Sequence, residues 1–98
     1  MPKLEIDVRA EAEIESIAEY HETKREGYGA KFLEELENAK KLILQFPEAF
    51  PIHTGQTRRI PLSLFRYSVF YKISGERIRI QAVFHQSRDP KRLKKRLS

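Results

Sequence analysis

Apolar and polar residues alternate at both ends of this chain and recur at helical spacing between them. Leu4, Ile6 and Val8 alternate with Glu5, Asp7 and Arg9, which predicts a short strand with one buried face. The period then lengthens. Ala10, Ile14, Ile17, Ala18 and His21 fall on one helical stripe, with Glu11, Glu13, Glu15, Glu19 and Glu22 mostly on the other faces. Gly27 and Gly29 bracket Tyr28 and are expected to end this helix. A second helix is predicted from about Ala30 to Gln45, with Phe32, Leu36, Ala39, Ile43 and Phe46 as its stripe. Pro47 stops it, because proline has no N–H and clashes with the preceding turn. Two amphipathic helices joined by a short glycine turn imply an antiparallel helical hairpin.

The alternation returns in the second half. Residues 47–57 carry two prolines and Gly55 and are expected to be an irregular connection. Arg58 to Leu62 is predicted as a short strand, with Pro61 placing it at an edge or a strand end. The turn Ser74-Gly75-Glu76 then separates two alternating runs. Tyr67, Val69, Tyr71 and Ile73 share one face of the first, and Ile78, Ile80, Ala82 and Phe84 share one face of the second. The other face takes Ser68, Phe70 and Lys72, with Arg77, Arg79, Gln81, Val83 and His85. The resulting order is β-α-α-β-β-β. The expected fold class is α+β: a four-stranded, mainly antiparallel sheet with the helical hairpin on its apolar face and the other face partly open.

Charge divides the chain. Residues 1–50 hold 7 Lys/Arg and 12 Asp/Glu, whereas residues 51–98 hold 12 Lys/Arg and 2 Asp/Glu, so a net −5 adjoins a net +10. A basic half of this kind suits a polyanion or an acidic protein partner, or a solvated charged surface. Ninety-eight residues make one domain, here 1–98 with 91–98 as a basic tail. There is no cysteine, hence no disulfide or thiolate metal site, and a reducing compartment is permitted. No stretch resembles a signal peptide or a membrane span, so a cytoplasmic location and no membrane contact are expected. The three histidines have no paired spacing, so neither a metal site nor a cofactor is expected.

Four stretches carry a family resemblance. They are A-E-I-E-S-I-A-E-Y (Ala12 to Tyr20), L-I-L-Q-F-P (Leu42 to Pro47), R-R-I-P-L…F-R-Y-S-V-F-Y-K-I (Arg58 to Ile73) and I-R-I-Q-A-V-F-H-Q-S-R-D-P (Ile78 to Pro90). In this order and spacing the chain resembles the RelE/ParE superfamily of toxins from bacterial type II toxin–antitoxin pairs. The resemblance implies a compact growth-inhibiting toxin, associated with plasmid stabilisation. A cognate antitoxin would neutralise it in a toxin–antitoxin hetero-oligomer. RelE-like members cut messenger RNA in the ribosomal A site. ParE-like members share the fold, inhibit DNA gyrase and lack the nuclease residues.

The candidate site residues bear on that division. Metal-free RNA cleavage needs an acid–base group, cations on the phosphate and preferably a ring for a base. His85 is the acid–base candidate, the alternative being a structural histidine that bonds the tail or the Arg58–Arg59 strand. Arg88 is a phosphate holder in the nuclease reading, and otherwise fixes a corner with Asp89 or meets an acidic antitoxin. Arg58 and Arg59 should point to opposite faces, one of them reaching the open face. Lys91, Arg92, Lys94 and Lys95 extend the basic surface, and Leu93 and Leu97, four apart, would let a short helix dock. Ser68 departs from the nuclease pattern, which places arginine after the tyrosine of this strand; Arg66 or Arg79 would have to compensate. Tyr67 and Tyr71 are expected in the core, Phe70 on the open face, His21 in helix packing and His53 at the surface. The balance favours a ParE-like toxin that binds DNA gyrase. The alternative is a ribosome-dependent mRNA endonuclease using His85 and Arg88.

Overall fold

The computed structural model describes residues 2–98. The elements are β1 (Lys3–Ile6), α1 (Val8–Lys24), α2 (Tyr28–Gln45), β2 (Ile52–Thr54), β3 (Thr57–Pro61), β4 (Tyr67–Ser74), β5 (Arg77–His85) and α3 (Pro90–Leu97). They form a five-stranded sheet in the order β1-β5-β4-β3-β2. β1 runs parallel to β5, and every other pair is antiparallel. The expected α+β class holds, but the sheet has five strands rather than four. The fifth is β2, formed within the segment read as a connection. Its three residues are all exposed, so no apolar alternation marks it in sequence.

The helical hairpin forms for local reasons. Asp7 caps α1 by accepting the Arg9 N–H at 2.8 Å. The turn after α1 is tighter than the glycine spacing suggested, with α2 beginning at Tyr28 and Gly29 inside it. The Glu22 carboxylate accepts from Gly27 N at 3.0 Å and Gly29 N at 3.0 Å, which satisfies donors that a helix start leaves open. Only glycine fits at 29, since a Cβ there would lie 2.7 Å from the Ala18 carbonyl oxygen.

The helical hairpin covers one sheet face. Phe32, Leu36, Ala39 and Ile43 from α2 meet Ile60, Tyr67, Val69, Tyr71, Ile78, Ile80 and Val83. On the opposite face a smaller cluster joins Phe70, Ala82, Phe84 and Leu93, with Leu97 beside it. The tail is thus a helix docked through Leu93, and the second face is less open than expected.

One register change re-aims the end of the sheet. Phe70 pairs with Ala82 but Tyr71 pairs with Ile80, so Gln81 is an extra residue in β5. A bulge of this kind reverses the facing of everything beyond it. Ala82 and Phe84 therefore face α3, not the helical hairpin. Val83 and His85 take the hairpin side, the reverse of the uninterrupted alternation. The bulge falls where β1 stops, Ile80 being its last partner on β5. Beyond that point side chains satisfy the strand edge. Glu13 accepts the Val83 N–H at 3.1 Å, and Arg96 donates to the Gln81 carbonyl at 3.1 Å. Arg96 also pairs with Glu13 at 2.8 Å, which ties α3 to α1.

Candidate functional site

Side chains with unspent hydrogen-bonding capacity gather at the open end of β4 and β5, where both faces of the sheet meet. His85 closes β5 and pairs in register with Tyr67 at the start of β4. The two rings meet edge to face, with centroids 5.3 Å apart. On the other side of Tyr67, its hydroxyl lies 3.2 Å from His21 Nε2 of α1. Phe32 and Phe65 complete an aromatic group around His21, at centroid distances of 6.4 and 4.9 Å.

Three clefts converge on His85 and Arg88. One, of about 250 Å³, runs along α1 past Glu13 and Tyr67 to Arg92. A second, of about 350 Å³, is lined by Tyr20, His21, Tyr28, Leu64, Arg66 and Tyr67. The third, of about 540 Å³, lies toward α3 and contains Arg59, Lys94, His53 and Phe70, with no carboxylate in its lining. Arg66 and Arg88 are exposed and make no ion pair among the described residues.

The electrostatics follow from this crowding. Burial lowers the His85 pKa, and the positive charges of Arg88 and Arg66 lower it further. Burial lowers His21 as well. The Tyr67 hydroxyl is raised by burial, with Arg88 opposing. Both shifts favour the neutral imidazole. His85 Nδ1 accepts the Ser87 backbone N–H at 3.2 Å. Since that donor cannot reverse, the neutral ring carries its proton on Nε2. The outward nitrogen is then a donor without a free lone pair.

The other candidates divide between this end and the scaffold. Arg58 and Arg59 do face opposite sides. Arg58 faces the helical hairpin and donates to the Glu48 and Phe50 carbonyls at 3.1 and 2.8 Å, tying down the loop before β2. Arg59 reaches the α3 side, where its Nε donates to Ser68 Oγ at 2.9 Å. Ser68 is fully buried beneath that face. Arg79 does not join His85. It lies six residues back along β5, about 20 Å at ~3.3 Å per residue, and pairs with Glu5 and Asp7 at 3.5 and 3.3 Å. Hydrogen bonds from the Arg9 side chain and backbone N–H, with a weaker one from Arg79, hold the Asp7 carboxyl well below the usual range. Lys91, Arg92, Lys94 and Lys95 are exposed on α3, whereas Arg96 is turned inward. Phe70 is buried against Leu93, with His53 edge-on at 5.0 Å, so it offers no open face for a base.

The sequence pointed to His85 and Arg88 at this place and named Arg66 only as a substitute for the arginine absent at 68, and it gave His21 and Tyr67 no role beyond packing. His21 and Tyr67 were expected to pack, and they do, yet both also line the cleft. Contacts across 46 residues leave no local signal. Among the described residues no cluster of histidines and carboxylates could hold a metal ion, and no helix is long and apolar enough to cross a membrane.

Comparison with known proteins gives two findings. The sequence model of the family described as "ParE toxin of type II toxin-antitoxin system, parDE" matches residues 4–90. The fold is similar to a solved structure titled "Chromosomal ParDE TA system from P. aeruginosa", with a TM-score of 0.66 and 15% identity over 87% of this chain and 96% of that chain. No curated protein matches the sequence.

Proposed function

The chain belongs to the ParE toxin family of type II toxin–antitoxin systems, and on that premise we propose that it acts by binding its target rather than by cutting RNA. The target that the family implies is DNA gyrase. A cognate antitoxin neutralises the toxin in a hetero-oligomer, and both act in the cytoplasm.

The protonation state of His85 carries this reading. Its Nδ1 is occupied by Ser87 and its pKa is depressed. At neutral pH it is neither a charged acid nor a base with a free lone pair at the cleft. Ser68 supports the same conclusion, because a buried serine stands where a nuclease would present a guanidinium. A neutral hydroxyl cannot offset the charge that builds on a phosphorane. The exposed cations Arg88, Lys91, Arg92, Lys94 and Lys95, with Arg59 behind them, form a recognition surface for acidic groups. Arg58 and Arg79 are spent on the scaffold.

The nuclease reading keeps in its favour the presence of His85, Arg88 and Arg59 in one cleft, with the Arg59 guanidinium beside Ser68. Induction without antitoxin separates the two. Binding to gyrase predicts relaxed plasmid DNA with intact messages. Cleaved messages with normal supercoiling would assign the nuclease activity instead.

A further inference from the structure

The loop between β3 and β4 presents an apolar residue to solvent on a fixed support. Leu64 is 76% exposed. Its loop is nevertheless held by one carboxylate. Glu35 of α2 accepts from Ser63 Oγ at 2.9 Å, Leu64 N at 2.7 Å and Phe65 N at 3.2 Å. Phe65 anchors the same loop in the core, edge-on to Phe32 at 5.7 Å. Three hydrogen bonds to one side chain are more than a solvated loop tip needs. Their effect is to hold Leu64 in place, and groups ordered in advance lose less entropy on binding.

The surroundings of Leu64 define what it would meet. It lines the same cleft as Tyr20, Tyr28, Arg66 and Arg88. Tyr20 is 47% exposed. Arg25 and Lys31 lie against the Tyr28 ring at 4.8 and 5.1 Å and add to the positive field. The cleft lining contains no carboxylate, and the outward His85 nitrogen is a donor. The charged side chains lining this cleft are cationic, beside an apolar knob and a half-exposed Tyr20 ring with Lys24 over it, whereas Glu34 and Glu35 line a separate cleft that Leu64 also borders.

We propose that Leu64, Tyr20, Arg66 and Arg88 form a docking site for a protein segment that carries a carboxylate next to an aliphatic side chain. The carboxylate bridges the two guanidiniums, and the aliphatic group packs between Leu64 and Tyr20. Charge complementarity selects an acidic segment. Leu64 supplies an aliphatic contact suited to a peptide side chain, whereas a nucleic acid would have only the half-exposed Tyr20 ring on which to stack a base. This rests on the reading that the protein works by binding, and it assigns that reading a surface distinct from α3.

The test is an NMR titration of the full chain with three probes: a blocked hexapeptide of alternating glutamate and leucine, its glutamine counterpart, and a thymidine hexanucleotide. The expected result is saturable shifts at the Leu64 methyls and at Arg66 and Arg88 Nε with the glutamate peptide. The glutamine peptide should bind at least about tenfold more weakly, as loss of a charge-assisted contact requires. Leu64→Ala and the double variant R66A/R88A should each weaken binding while the remaining amide spectrum is unchanged, since all three side chains are exposed. Equal binding of the glutamine peptide, shifts confined to α3, tighter binding of the hexanucleotide, or indifference to the variants overturns the proposal. Gyrase inhibition is read separately. Inhibition without peptide binding removes this site and keeps the binding reading; peptide binding without inhibition does the reverse.

Discussion

The two faces of the sheet are built on different principles. The helical-hairpin face is closed by two long helices over a continuous core, with Phe32, Ile43, Val69, Tyr71 and Ile80 fully buried. The α3 face is closed by one eight-residue helix, anchored by Leu93 and by the pair between Arg96 and Glu13. An isolated helix of that length is marginal in water, so α3 depends on its docking. The first face gives the fold its stability. The second holds a smaller buried cluster and displays four exposed cations. The end of β5, where the faces meet, gathers Arg66, Arg88, His21 and His85. A binding protein can separate its tasks in this way, with a rigid support on one side and an adaptable charged surface on the other.

The sharpest way to break this comparison is to truncate each face and compare the losses. Phe32→Ala removes a fully buried ring that also touches Phe65 and Tyr67. It should cost ~3–5 kcal/mol in urea unfolding, a large part of a small domain's stability. Leu93→Ala should cost about 2 kcal/mol, the low end for a core leucine. Amide exchange should then lose protection in α3 while the hairpin core keeps it. If Leu93→Ala costs as much as Phe32→Ala, the second face is structural and the division fails.

A smaller effect tests the link between the faces. Glu13→Ala leaves the Val83 N–H and the Arg96 guanidinium without their partner. The group is half-buried, so a loss of about 1–2 kcal/mol is expected in chemical denaturation. Glu13→Gln retains an acceptor and should recover part of it. The smallest effect is a pH dependence. His21 and His85 both have folded pKa values below the ordinary 6.5. The unfolded chain therefore binds more protons, and stability is full above about pH 6.5 and falls as the pH drops toward the folded values. Asp7 acts only at lower pH, since its carboxyl contributes stability that is lost below its ordinary value of 3.8. Melting temperatures between pH 7.5 and 5 should decline, and should decline less in the H21Q/H85Q double variant.

Much of this architecture is legible in the residues. The stripe of Phe32, Leu36, Ala39 and Ile43 and the alternation from Tyr67 to Ile73 are strong because each element has a single buried face along that run. The bulge at Gln81 is not legible. Ile78, Ile80, Ala82 and Phe84 continue the alternation, and Val83 suits the hairpin core as well as Ala82 would, so either facing satisfies hydrophobicity. The bulge coincides with the end of β1, whose last partner on β5 is Ile80. β2 was invisible because the backbone pairing of Ile52 and Thr54 needs no apolar face. At the site, His85 and Arg88 stand in a recognisable run, while the approach of His21 to Tyr67 is a product of tertiary packing. Arg79 shows the opposite limit: a cation with a plausible face was taken by two carboxylates of the first strand and helix cap.

If the protein works by binding, His85 takes no part in proton transfer. Supercoiling by purified DNA gyrase, measured with the wild-type protein and with His85→Gln at saturating concentration, tests it most directly. Inhibition by both proteins is expected, with at most a modest change in the concentration required. Uninhibited gyrase together with ribosome-dependent message cleavage that His85→Gln abolishes would contradict it.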